Sequence, residues 1–187
     1  ATGTGMPMQL LSVGAVSKRK GYDVLIQALV MLNDDSWRLT IAGALDRDPA
    51  TVNELTAQIS AAGLEDRVTL AGTVVPATLD RFYEATDLFV LPSLYEGYGM
   101  VLAEAMARGL AIVCTTGGAA AETVPDEAAI KVPPGDPAAL ARALATVLAD
   151  NKLRRAMRKA SWETGRTLPT WNETARRVAA TLVGIRT

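Results

Sequence analysis

Two glutamates, Glu96 and Glu104, with seven residues between them, bracket a Gly-x-Gly turn in the stretch Pro92-Ser93-Leu94-Tyr95-Glu96-Gly97-Tyr98-Gly99-Met100-Val101. The stretch opens directly after the most hydrophobic run of the chain, Leu88-Phe89-Val90-Leu91. Gly97 and Gly99 keep side chains away from the start of a helix, where free N–H groups and the positive dipole end favour an anion. A nucleotide diphosphate fits such a position. From Met100 to Ala107 every residue except Glu104 is apolar, so this helix is expected to lie buried against a sheet, and its one carboxylate stands out. Helical side chains lean toward the N-terminus. Glu104, in the second turn, can therefore reach back to the same mouth and accept hydrogen bonds from ribose hydroxyls. Glu96, in the loop, would face whatever is attached beyond the phosphates. The plainer alternatives are an i,i+4 ion pair of Glu104 with Arg108, worth ~0.2–0.5 kcal/mol, and, for Glu96, a loop carboxylate near a helix start.

A second stretch suited to phosphate is Val13-Gly14-Ala15-Val16-Ser17-Lys18-Arg19-Lys20-Gly21, which carries three consecutive cations ahead of a helical segment. Gly14 lets the backbone approach a ligand, and Arg19 and Lys20 can supply charge-assisted hydrogen bonds to a diphosphate. The alternative is a solvated basic loop.

These side chains have to be positioned by one domain, because the chain has 187 residues and domains usually run to roughly 100–200. Hydrophobic residues make up 49% and charged residues 21%, which excludes a disordered chain, and no apolar run approaches the ~18 residues of a membrane span. There is no histidine and Cys114 is the single cysteine, so histidine acid/base chemistry, zinc-finger ligand sets and internal disulfides are excluded. No metal site is expected. A net charge of −1 argues against a general nucleic-acid binder. The single cysteine fits an intracellular, cytoplasmic location, and residues 1–7 read as a linker or chain end without the features of a signal peptide.

From Met8 onward, short apolar runs alternate with segments of helical period, the pattern of a parallel sheet flanked by helices. Strands are expected at Met8–Val13, Arg38–Ala42, Val68–Ala71, Leu88–Leu91, Ala111–Cys114 and Ala129–Val132. Helices are expected at Val24–Leu32, Ala50–Ala62, Ala77–Ala85, Gly99–Arg108, Asp136–Ala149, Asn151–Thr164 and Thr170–Val183. The fold class is thus α/β, a Rossmann-like, doubly wound parallel sheet of about six strands, with its ligand beyond the carboxyl ends of the strands.

The glutamate pair inside Pro-Ser-Leu-Tyr-Glu-Gly-Tyr-Gly resembles the signature of retaining, nucleotide-sugar-dependent glycosyltransferases of family 4, the group 1 type with the GT-B fold. Val13-Gly14 with Arg19-Lys20-Gly21, Leu70-Ala71-Gly72-Thr73-Val74, Thr116-Gly117-Gly118 with Glu122, and Val132-Pro133-Pro134-Gly135-Asp136 follow in the family's order. The resemblance runs from about Met8 to Leu182 and covers the family's C-terminal, donor-binding half. It implies that residues 8–187 bind a nucleoside-diphosphate sugar, that the acceptor-binding N-terminal domain lies elsewhere, and that this half alone does not turn over. It implies Lys20 at the donor diphosphate, Glu104 at the ribose, Glu96 as the catalytic residue at the transferred hexosyl unit, and the Val74 backbone at the base. The implied donor site is completed by Gly14, Arg19, Gly97, Tyr98 and the amides of Gly99, Met100 and Val101, with no cofactor. Two positions depart from the family pattern: Ala15 stands where an arginine is frequent, and Ala121-Glu122 where a Pro-Glu pair is common.

Two rival readings are a different sugar-nucleotide enzyme on this fold, such as an epimerase, and a non-enzymatic binding module. The first would want further acid/base groups around the sugar. The second would be expected to lose Lys20, Glu96 and Glu104. The basic run Lys152-Leu153-Arg154-Arg155-Ala156-Met157-Arg158-Lys159 reads as a solvated helix face or as a contact with an acidic membrane surface or lipid-linked acceptor. Trp162 and Trp171 read as packing residues.

Overall fold

A computed structural model describes residues 7–32, 36–169 and 171–184. Six strands, β1 (Met8–Val13), β2 (Trp37–Ala42), β3 (Val68–Gly72), β4 (Leu88–Leu91), β5 (Ala111–Thr115) and β6 (Ala129–Val132), form one sheet in the order β3-β2-β1-β4-β5-β6. Every neighbouring pair is parallel. The helices are α1 (Tyr22–Val30), α2 (Pro49–Ala61), α3 (Pro76–Ala85), α4 (Met100–Ala107), α5 (Ala120–Thr123), α6 (Pro137–Ala149), α7 (Asn151–Gly165) and α8 (Trp171–Gly184). This is the doubly wound, Rossmann-like architecture expected, with the order reversing between β1 and β4.

Burial on both faces explains why the central strands are continuous apolar runs. In β4, Leu88 and Val90 join one buried cluster with Tyr22, Leu25 and Leu29 of α1, whereas Phe89 and Leu91 join another with Leu102 and Met106 of α4. β5 alternates in the same way, with Ala111 and Val113 on the first side and Ile112 and Cys114 on the second. Helix starts follow local chemistry. Asp48, Asp136 and Asp150 each accept hydrogen bonds from backbone amides at the starts of α2, α6 and α7, and prolines open α2, α3 and α6.

Several expectations need correction. The first helix begins at Tyr22, two residues early, because Gly21 adopts a left-handed conformation that turns the chain into it, and it ends at Val30. Lys18–Lys20 form a short 3-10 helix, and α5 follows the Gly117-Gly118 pair; neither has enough residues to show a period. α4 is not buried all round, since Met100, Glu104 and Ala107 are exposed. The basic run on α7 is only partly a solvated face: Arg154 donates to the carbonyls of Val147 and Leu148 at 2.7 and 2.8 Å, closing α6, and Arg158 donates to Gly109. Trp162 is half exposed beside Gly109. Residues 1–6 and Thr170 lie outside the described residues. No helix among the described residues is long and apolar enough to cross a membrane.

Burial has a consequence at high pH. It pushes the Cys114 thiol from its ordinary 9.0 up to about 12, and it also raises the phenols of Tyr22 and Tyr83. Above about pH 9 the unfolded chain therefore holds fewer protons than the folded one, and stability falls as pH rises. We expect the melting temperature to decline from about pH 9 upward. In Cys114→Ala the early part of that decline should be shallower, and a slope equal to that of the native chain in scans at pH 8–10.5 would contradict it.

Candidate active site

Gly14, Arg19 and Lys20 follow β1, and Glu96, Gly97 and Gly99 follow β4, so both groups lie where the strand order reverses. Gly14 follows β1, and its φ of 152° is a conformation that side chains rarely adopt. A Cβ on Gly14 would lie 2.7 Å from Lys20 Cε, so the space that glycine leaves is occupied by the lysine stem. Tyr22 buttresses the turn by donating from its hydroxyl to the Gly14 carbonyl at 3.0 Å. Lys20 is thereby buried, at 6% exposure, and its ammonium donates to Glu96 Oε2 at 2.8 Å.

Glu96 is held from three directions. Ser93 Oγ donates to the same Oε2 at 3.2 Å, Arg19 Nη1 stands 3.6 Å from it, and Arg19 also donates to the Tyr95 carbonyl at 2.6 Å. The Glu96 backbone is clasped by the loop after β5, accepting from Ala119 N at 2.8 Å and donating to the Gly117 carbonyl at 3.0 Å. Side chains at Gly117 or Gly118 would collide with the carbonyls of Leu94 and Glu96, so the glycine pair allows this close approach. Lys20 and Glu96 therefore form a buried ion pair at the base of the mouth, more enclosed than the ligand-facing carboxylate expected for Glu96.

Helix α4 starts beside them. Gly99 takes the N-cap position in a left-handed conformation with no side-chain cap, so the first amides of the helix, Met100 and Val101, are left to outside acceptors. Gly97 has open space around it, so conformation does not demand glycine there, whereas Gly99 packs against Thr123. Tyr98 is exposed at the rim, and Val74 and Val101 pack on the apolar cluster beneath α4.

Glu104 is not the ion-pair partner of Arg108 that i,i+4 spacing suggested. Arg108 pairs with Asp80 at 2.6 Å and meets Glu104 at its backbone carbonyl, whereas Glu104 Oε2 accepts from the Tyr83 hydroxyl at 2.9 Å. Sequence reasoning missed both Ser93 and Tyr83 as carboxylate partners. Ser93 was legible in principle, three residues before Glu96 and two after a buried strand. Tyr83 lies 21 residues from Glu104, and no local pattern links them. Among the described residues no group of three or more acidic or cysteine side chains could hold a metal ion.

The chain matches the family described as glycosyl transferases group 1 over residues 4–164. It belongs to that family. It is 36% identical, over 154 residues, to a D-inositol 3-phosphate glycosyltransferase from Xylanimonas cellulosilytica, covering 80% of this chain and 37% of that protein. Among solved structures, Anabaena Alr3699/HepE in complex with UDP-glucose superposes with a TM-score of 0.87 at 26% identity, over 95% of this glycosyltransferase domain and 49% of HepE. The C-terminal domain of a group 1 glycosyl transferase, LpcC, from Francisella tularensis superposes with a TM-score of 0.78 at 27% identity, covering 89% and 86% of the two chains. This group 1 chain spans less than half the length of the curated relatives it matches, for example 37% and 44%.

Proposed function

We propose that this domain is the C-terminal, donor-binding half of a retaining family 4 glycosyltransferase that moves a hexosyl unit from a nucleoside-diphosphate sugar to an acceptor. The observation that carries the reading is the buried Lys20–Glu96 pair beside the uncapped start of α4, at the point where the strand order reverses. A diphosphate entering there meets an ammonium already stripped of water, the half-exposed Arg19 and two free helix amides. Those charges neutralise the leaving diphosphate as the glycosidic bond breaks, which is where electrostatic stabilisation counts most. No metal is assigned to that task.

As Lys20 turns to phosphate, Glu96 is released from its strongest partner and becomes available to the transferred sugar. Glu104 takes the ribose, and the backbone near Val74 takes the base. The relationship to HepE, solved with UDP-glucose, supports a sugar nucleotide as ligand, and the match to the LpcC C-terminal domain supports the assignment to the donor half. The acceptor site then belongs to a separate N-terminal domain. This half binds donor without turnover, in the cytoplasm, where sugar nucleotides are held.

The test is calorimetric titration of the folded chain with UDP, GDP and ADP. Weak binding of at least one is expected, because half the cleft and its closure are missing. Indifference to all three would overturn the donor-site reading in favour of a non-enzymatic module.

A further inference from the structure

Tyr83 is the one buried residue of α3, fully enclosed while the rest of that helix faces outward or sits half covered. A phenol in that position needs a partner for its hydroxyl. The partner here is Glu104 Oε2, at 2.9 Å. The ring itself has little freedom. The Phe89 ring lies 6.0 Å from it at an interplanar angle of 20°, and the Arg108 guanidinium sits over it at 4.2 Å, anchored in turn by Asp80 of the same α3 helix. Burial and the adjoining carboxylate push the Tyr83 phenol well above its ordinary value, so it keeps its proton and acts as a donor at any working pH.

A carboxylate has two oxygens, and the phenol engages one. Oε1 of Glu104 makes no hydrogen bond to the described residues, and the residue is exposed on α4. Without Tyr83, an exposed helical glutamate would sample several rotamers, and each hydroxyl it bound would have to fix it first.

We propose that Tyr83 is a positioning residue that locks Glu104 with one oxygen presented to the donor's ribose, and so sets the preference for ribonucleotides over their deoxy counterparts. This rests on the reading of Glu104 as the ribose ligand. Arg108 and Asp80 serve the same end by holding the ring. The role is distinct from packing, because it depends on the hydroxyl alone.

The experiment compares, for whichever of UDP, GDP and ADP binds the native chain, its affinity with that of its 2′,3′-dideoxy analogue. In the native chain the ribonucleotide is preferred. Tyr83→Phe keeps the ring and its packing and is expected to shrink that preference about three- to tenfold while leaving dideoxy affinity unchanged. Glu104→Ala is expected to abolish the preference. If Glu104→Ala does so and Tyr83→Phe retains the native ratio, the proposal is overturned and the ribose assignment stands. If Glu104→Ala itself leaves the ratio untouched, the ribose assignment fails and takes the proposal with it. A Tyr83→Phe chain that loses ribo- and dideoxynucleotide affinity equally marks Tyr83 as a packing residue, which also overturns the proposal. Circular dichroism before titration verifies that each variant is folded.

Discussion

Replacing Lys20 with methionine is expected to destabilise the fold by about 3–5 kcal/mol and to weaken nucleoside diphosphate binding about ten- to a hundredfold. Methionine fills the channel beside Gly14 that the lysine stem occupies, so packing is largely kept and the charge is what disappears. Glu96 then stays buried with Ser93 Oγ at 3.2 Å and Arg19 at 3.6 Å as its remaining side-chain partners. Breaking one side of a buried pair is costly because the other charge is left unbalanced away from water. Pairing the change with Glu96→Gln should restore most of the stability and none of the affinity, since the phosphate partner is still missing. Urea denaturation and titration of the single and double variants separate the two effects. A Lys20→Met chain with native affinity would move the phosphate role to Arg19 and the α4 amides, and one with native stability would contradict the buried pair.

Gly21→Ala should be nearly as damaging, through the backbone instead of charge. Gly21 sits at φ 63° between the 3-10 helix and α1, a conformation that costs a side-chain-bearing residue about 1–2 kcal/mol. Its added methyl would also collide with the Pro92 carbonyl, which is backbone and cannot swing aside. Relief requires the loops after β1 and β4 to part. That strains the Leu94 N–H bond to the Arg19 carbonyl, 2.8 Å, and the Lys20–Glu96 bridge beside it. We expect a loss of about 3 kcal/mol or more and nucleotide binding too weak to measure. Gly97→Ala is the control, because a Cβ there meets nothing within 4 Å and stability should be unchanged. A Gly21→Ala chain that melts with Gly97→Ala and the native protein would show that the two loops are not in the contact described.

The strands were readable because their signal is local. Leu88–Leu91 and Ala129–Val132 keep the bounds expected from apolar runs closed by turn residues, and Met8–Val13 does too. The helix after Asp136 was equally plain, as an aspartate followed by proline stops one element and caps the next. The Lys18–Lys20 turn and the four residues of α5 were missed for the same reason, being shorter than any period that could mark them.

Chain order alone is enough to say which residue types stand at the carboxyl ends of the strands: a lysine after β1, a glutamate after β4, and glycines where chains must touch or turn. Spacing along the chain carries that information, because a parallel sheet delivers every strand end to the same edge. Which side chains pair is set by folding. Lys20 and Glu96 lie 76 residues apart and meet where the loops after β1 and β4 touch, and Tyr83 and Glu104 lie 21 apart and meet where α3 packs beside α4. Arg108 had two candidate carboxylates, Glu104 at i−4 on its own helix and Asp80, brought near by the fold. Asp80 holds the guanidinium, and Glu104 instead accepts from the buried phenol of Tyr83, which needs an acceptor.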